Sequence, residues 1–233
     1  MTPSDIVALF VFALCWLGYE PLLKLLSKKS GLIAKDLSVV RAVWMHRLCL
    51  REVRLYDANL LGHSINSASF FASASLIIIA AVAGMLFQGE IPTKIITDIN
   101  TPLSQAHLLD IKLVLILLCL GRGFLDFIWA LRQMNYCAAA FGSLPETIKP
   151  QKAKEFSEAL SCILEPAMSN FSQGVRGYYF ALAAALWLFG PVALGFGSIG
   201  ATALLAWRQS MSGAASGLHK LRNLLDAEDK SIS

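Results

Sequence analysis

The sequence predicts an all-α, polytopic membrane protein: a four-helix transmembrane bundle with long cytoplasmic helical extensions, forming a single membrane domain over residues 1–233. Three observations carry this. The composition is 56% hydrophobic and 15% charged, with a mean hydropathy of +0.58; soluble domains carry about 25% charged residues. Four apolar runs are of the length a helix needs to cross a bilayer, roughly 20 residues. Basic residues gather in alternate connections between these runs.

The first run, "IVALFVFALCWLGY" within residues 6–23, lacks a basic leading segment and an A-x-A cleavage site. It reads as a retained helix and not as a signal peptide. The second, "ASFFASASLIIIAAVAGMLF", lies within 65–87, and the third, "IKLVLILLCLGRGFLDFIWAL", covers 111–131. The fourth covers 178–207 and holds no charged residue from Tyr178 to Trp207. Pro191 predicts a kink there, of the kind neighbouring helices tolerate. A split at Gly190–Pro191 into a hairpin is the other reading, although each half is then short of a full span.

Loop charges orient the spans. Eight basic residues lie between the first two: Lys24, Lys28, Lys29, Lys35, Arg41, Arg47, Arg51 and Arg54. Residues 88–110 hold Lys94 against Glu90, Asp98 and Asp110, whereas 132–176 again hold a basic set. The positive-inside rule makes the first and third connections cytoplasmic. The N-terminus is then outside. So is the C-terminal tail if the fourth run crosses once, which would translocate Arg208, Lys220, Arg222 and Lys230; a hairpin would return the tail inside.

The cytoplasmic connections read as helices. Val40, Trp44, Leu48 and Leu55 recur at helical spacing, which predicts one long helix from Ser38 into the second span. Residues 151–165 carry Phe156, Leu160, Ile163 and Leu164 on one side, predicting an amphipathic helix that ends near Pro166.

"GFGSIG", Gly195 to Gly200, spells G-x-G-x-x-G. A dinucleotide fingerprint needs a preceding strand and a βαβ unit. Here both flanks are apolar helical runs, so Gly195, Gly197 and Gly200 read as small residues at a close helix contact. Ser64, Ala68, Ala72 and Ser75 form a second small-residue face, with a pore lining as the sharper alternative. Five cysteines show no C-x-x-C spacing and four histidines no H-E-x-x-H, so free thiols, no metal and no cofactor are expected.

Arg122 and Asp126 lie four residues apart in the third span. Charges at depth are functional hypotheses by default, although these two can neutralise each other. Three further stretches gather polar and aromatic residues at the inner membrane surface: "RLCLREVRLYDAN", "WALRQMNY" and "NFSQGVRGYYF". Their Arg51, Arg54, Asp57, Arg132, Asn135, Tyr136, Asn170, Arg176 and Tyr179, with Asn66 nearby, read as interfacial anchors joined by a hydrogen-bond network. A binding site for an anion or lipid headgroup is the competing reading. Arg176 is expected to pair with Asp57 or Asn135.

These stretches also resemble a family. "WMHRLCLREVRLYDANLLGHSINSASFFASASLIII", "FIWALRQMNYCAA" and "NFSQGVRGYYFALAAALWLFGP", with the patterns W-x-x-R-x-x-N-Y and N-x-x-x-G-x-R-x-Y-Y-F, are similar to the bacterial domain of unknown function 599 family. The resemblance spans most of the chain. It implies a helical, multi-pass protein of the bacterial cytoplasmic (inner) membrane and carries over no biochemical activity. Family members often have a lysine where this chain has Asp126.

No paired-carboxylate, Ser/His/Asp or metal pattern is present, so no enzyme is expected. Two functional classes remain. One is an oligomeric channel- or transporter-like protein with a polar cluster at the cytoplasmic surface. The other is a non-transporting scaffold or accessory subunit that binds lipid or a protein partner. The expected partners are membrane lipids, anionic ones included, and either copies of the chain or another membrane protein. The net charge of +4 follows from topology and calls for no nucleic acid.

Overall fold

The computed structural model describes residues 2–26, 33–87 and 103–232. All regular structure there is helical: α1 (Pro3–Leu26), α2 (Ile33–Leu50), α3 (Leu55–Phe87), α4 (Leu103–Ser143), α5 (Pro150–Ala185), a 3₁₀ turn (Leu186–Phe189), α6 (Pro191–Ser210) and α7 (Gly213–Ile232). Lys24, Lys28, Lys29, Glu90, Lys94 and Asp98, used above to orient the chain, are outside the described residues or have side chains that are. Two compact units divide the chain, and α1, α3, α4, α5 and α6 contribute to both.

The first unit comprises Met1–Pro21, Phe70–Asp126 and Gln173–Leu204. Helix α1 opens with a reciprocal cap: the Asp5 carboxylate accepts from the Thr2 amide at 2.8 Å, and the Asp5 amide donates to Thr2 Oγ1 at 3.3 Å. Such a pair satisfies donors that a helix start leaves open. The same carboxylate is buried and accepts from Trp187 Nε1 at 3.0 Å, which anchors the 3₁₀ turn to the start of α1. Phe12 and Tyr19 meet Phe180 edge to face at 6.1 and 6.4 Å, the geometry aromatic quadrupoles favour. Tyr178 Oη donates to the Phe71 carbonyl at 2.9 Å and lies 2.7 Å from Ser75 Oγ, tying α3 to α5.

The run read as one fourth span, 178–207, is not a single helix. It is the end of α5, the 3₁₀ turn, Gly190 and then α6. Gly190 has φ +124°, a conformation open to glycine and strained for other residues. Pro191 stands first in α6, a position where the missing amide and fixed φ favour a helix start, so it begins a helix instead of kinking one. The chain reverses here: a Cβ on Gly197 would stand 2.5 Å from Leu186 Cδ1 and 3.5 Å from Ala183 Cα. Gly195 and Gly200 have open space at the corresponding position. Among the described residues the close contact of "GFGSIG" falls at Gly197.

The second unit comprises Leu22–Ser69, Phe127–Ser172 and Leu205–Ser233. Its core is Met45, Leu48, Leu61, Met134, Leu164 and smaller neighbours such as Ala68, Ala130 and Ala167. Helix α2 stops at Leu50 and α3 begins at Leu55, so the single helix expected from Ser38 into the second span is two. No glycine or proline marks the corner. It is held by Asp57, whose Oδ1 accepts from Trp44 Nε1 and from Arg51 Nη1, each at 2.6 Å. The amphipathic helix expected to end near Pro166 instead runs on to Ala185. One missing amide is tolerated because Leu160, Leu164 and Ala167 are buried on both sides of the proline.

Helix α7 was not legible in the sequence. Ser212 caps it, its Oγ accepting from the Ala215 amide at 3.2 Å. Its partner is α2, where the fully buried Asp36 accepts from Arg222 Nη1 at 2.8 Å and lies 3.2 Å from His219 Nδ1. Arg41 donates to Glu165 at 2.8 and 2.7 Å, a forked pair between α2 and α5.

Helix α3 is long and apolar enough to cross a membrane, and only 11% of its apolar stretch is buried. Pro3–Tyr19 is a shorter apolar helix.

Candidate functional site

In the first unit, three helices present residues at helical spacing around one cleft of about 420 Å³. From α4 come Leu118, Arg122 and Asp126, at i, i+4 and i+8. From α5 come Gln173, Arg176, Gly177 and Phe180, and from α1 Trp16, Leu17 and Tyr19. Such spacings put side chains on one helix face.

Glycines bring α4 and α5 together. A Cβ on Gly177 would lie 2.9 Å from Gly123 Cα, and one on Gly123 would lie 3.1 Å from the Gly174 carbonyl. These glycines make the backbone contact that membrane helices use small residues for. In the sequence these are Gly174-x-x-Gly177 and Gly123, glycines whose partners lie on another helix and so form no local pattern.

The charges in the cleft are arranged unequally. Arg122 Nε donates to both Asp126 oxygens at 3.2 Å. Arg122 is 61% exposed and Asp126 13%. Arg176 stacks over the Tyr19 ring at 5.4 Å, a cation–π geometry. In the second unit Asp57 accepts from Trp44 and Arg51, and Asn135 is exposed. Among the described residues, two guanidinium groups and one carboxylate line the cleft. Tyr19 is 2% exposed, and its hydroxyl has no hydrogen-bond partner among the described residues. Trp16, Leu17, Leu118 and Phe180 supply apolar wall. Trp16, Tyr19, Gln173 and Phe180 were missed as site residues, because only the meeting of α1 with α4 and α5 identifies them.

Several of the other polar residues make local pairs. In the second unit, Asp57 is fully buried, and its Oδ2 has no partner among the described residues. Arg54 reaches the Leu144 and Glu146 carbonyls at 3.5 and 3.4 Å. Arg132 Nε donates to Tyr136 Oη at 3.0 Å, and Asn170 Nδ2 to Gln133 Oε1 at 2.6 Å. Asn66 is exposed, and Tyr179, in the first unit, is half-buried. Ala68 and Ala72 are buried and Ser64 half-buried.

Burial opposes the charge on Asp36, but the Arg222 and His219 hydrogen bonds outweigh it and hold its carboxyl below the usual range. Burial pushes the Cys49 thiol up and the Cys137 thiol up to about 11. Neither is poised as a nucleophile, which must be a thiolate. No group of three metal-ligating side chains occurs among the described residues.

Fold and cleft together define an all-helical protein with an outward-facing apolar helix and a charged cleft walled by apolar side chains. The chain belongs to the family described as "Protein of unknown function, DUF599", whose model matches residues 7–214. No curated protein and no solved structure matches it.

Proposed function

We propose that the chain is a multi-pass protein of the bacterial cytoplasmic membrane that takes a small ligand into the α1–α4–α5 cleft in a channel- or carrier-like role. The observation that carries this is the cluster of Arg122, Asp126 and Arg176 lining a cleft of about 420 Å³ between largely apolar helices. Exposed apolar surface supports the membrane setting. Ile6, Phe10 and Leu14 of α1 point outward, as do Phe70, Ile77 and Phe87 of α3 and Phe196 and Ile199 of α6. A soluble monomer does not expose apolar surface on this scale.

On this reading α1, α3 and α4 cross the bilayer and the α5–α6 hairpin enters and returns. The contact of α7 with α2 favours the returning hairpin, since Asp36 and Arg222 must then share one side of the membrane. The positive-inside rule makes that side the cytoplasm. The charged cleft favours ligand uptake over a purely structural scaffold, because buried and intramembrane charge is costly unless it serves a pathway or a ligand.

The test is accessibility of the cleft to water. In a variant with the five native cysteines replaced by alanine, Gln173→Cys should react with a small hydrophilic methanethiosulfonate in membrane vesicles. Full protection of that thiol, with the protein folded, would mean a dry bundle and contradict the proposal.

A further inference from the structure

Resting on the reading that this unit lies in the membrane, we infer that the cleft binds the phosphodiester headgroup of a singly charged anionic lipid. Net charge selects the sign. Among the described lining residues Arg122 and Arg176 exceed Asp126 by one, so a monoanion matches this set, whereas a cation or a neutral headgroup does not. A guanidinium fork matches phosphate oxygens in geometry as well as charge.

Three further features fit this ligand. Arg122 is 61% exposed on an otherwise apolar stretch of α4. In hydrocarbon that guanidinium is costly beyond what Asp126 offsets, and an anionic headgroup supplies the missing charge. The Tyr19 hydroxyl is buried without a partner among the described residues and offers an O–H donor beside the stacked Arg176. Lastly, a soluble anion has no use for the apolar wall of Trp16, Leu17, Leu118 and Phe180, but the first methylenes of an acyl chain do. The volume of about 420 Å³ lies within the range of small-ligand sites, about 300–1,000 Å³. It suits a headgroup with its proximal chain.

Asp126 sharpens the choice. Its carboxylate lies against Arg122 and would repel a second negative charge, so a phosphodiester is preferred to a dianionic phosphate monoester.

The experiment is native mass spectrometry of the full chain in detergent, titrated with dioctanoyl phosphatidylglycerol, dioctanoyl phosphatidylcholine or glycerol phosphate. The expected result is binding of phosphatidylglycerol roughly tenfold tighter than phosphatidylcholine, about the value of one charge-assisted contact, with glycerol phosphate much weaker. Arg122→Gln and Arg176→Gln, each of which removes one positive charge, should lose the preference while keeping the wild-type elution volume. Arg122 is mostly exposed, so its variant tests the site without disturbing the core. Equal binding of the two lipids, or a preference that survives in the Arg122 variant, would overturn the inference. Glycerol phosphate binding as tightly as the lipid would overturn it in favour of a soluble phosphate. A labelled Gln173→Cys with no lipid preference removes only the ligand assignment; a protected Gln173→Cys removes the cleft as a ligand site altogether.

Discussion

Arg222 of α7 donates to Asp36 of α2 at 2.8 Å across 186 residues of sequence, and the receiving carboxylate is fully buried. This pair and His219 fasten α7 to α2. Asp36→Asn should release α7, raising tryptic cleavage around Lys220 roughly tenfold, about the effect of losing one charge-assisted hydrogen bond. Unchanged cleavage would show that the pair does not hold the helix.

The same contact predicts a pH dependence. The folded-state pKa of Asp36 is depressed, burial being outweighed by the Arg222 and His219 bonds. The stabilisation is therefore fully present above the unfolded carboxylate value, about 4, and is lost as pH falls through the lower folded value. Protection of α7 amides in hydrogen exchange should hold at pH 6 and fall in strongly acidic buffer. The Asn variant should show no such dependence.

The α4–α5 crossing separates two classes of glycine. Gly177→Ala places a methyl 2.9 Å from Gly123 Cα, against backbone that cannot turn aside, whereas Gly200→Ala enters open space. The first should destabilise by about 1–3 kcal/mol, with a matching fall in Tm in detergent, and the second should not. Equal melting temperatures would remove the crossing from the account.

Thiol reactivity offers an independent check on burial. Cys162 is exposed, while Cys49 and Cys137 are buried. With its pKa pushed up to about 11, Cys137 carries about a hundredfold less thiolate at pH 8 than an ordinary thiol. Maleimide labelling of the folded protein, read by peptide mass spectrometry, should find Cys162 and leave Cys49 and Cys137 unmodified.

The helical class was legible because apolar runs and charge-poor composition report on the whole chain at once. The Arg122–Asp126 pair was legible because both partners lie on one helix at i, i+4. What stayed hidden depends on contacts between helices. The corner at residues 51–54 carries no breaker residue and is set by Trp44 meeting Asp57. The break at Gly190 rests on one positive φ, and Pro191 signals a kink and a helix start equally well. Arg176 also lies over the face of Tyr19, a contact with α1 that no local pattern around Arg176 announces. Helix α7 sits in a polar tail beyond the apolar runs, and it lies almost wholly past the residues the family model matches.

Every role assigned to the cleft depends on the chain threading a bilayer and returning its tail to the side of the first connection. The most direct measurement is cysteine labelling with an impermeant maleimide in cells, on the cysteine-free background, at Lys35→Cys, His107→Cys and Ser216→Cys, three positions that present outward or lie on exposed helix surface. The account predicts labelling of His107→Cys in intact cells, and of Lys35→Cys and Ser216→Cys only after permeabilisation. Labelling of Ser216→Cys from outside while Lys35→Cys stays protected would contradict it, because α2 and α7 would then lie on opposite sides of the membrane.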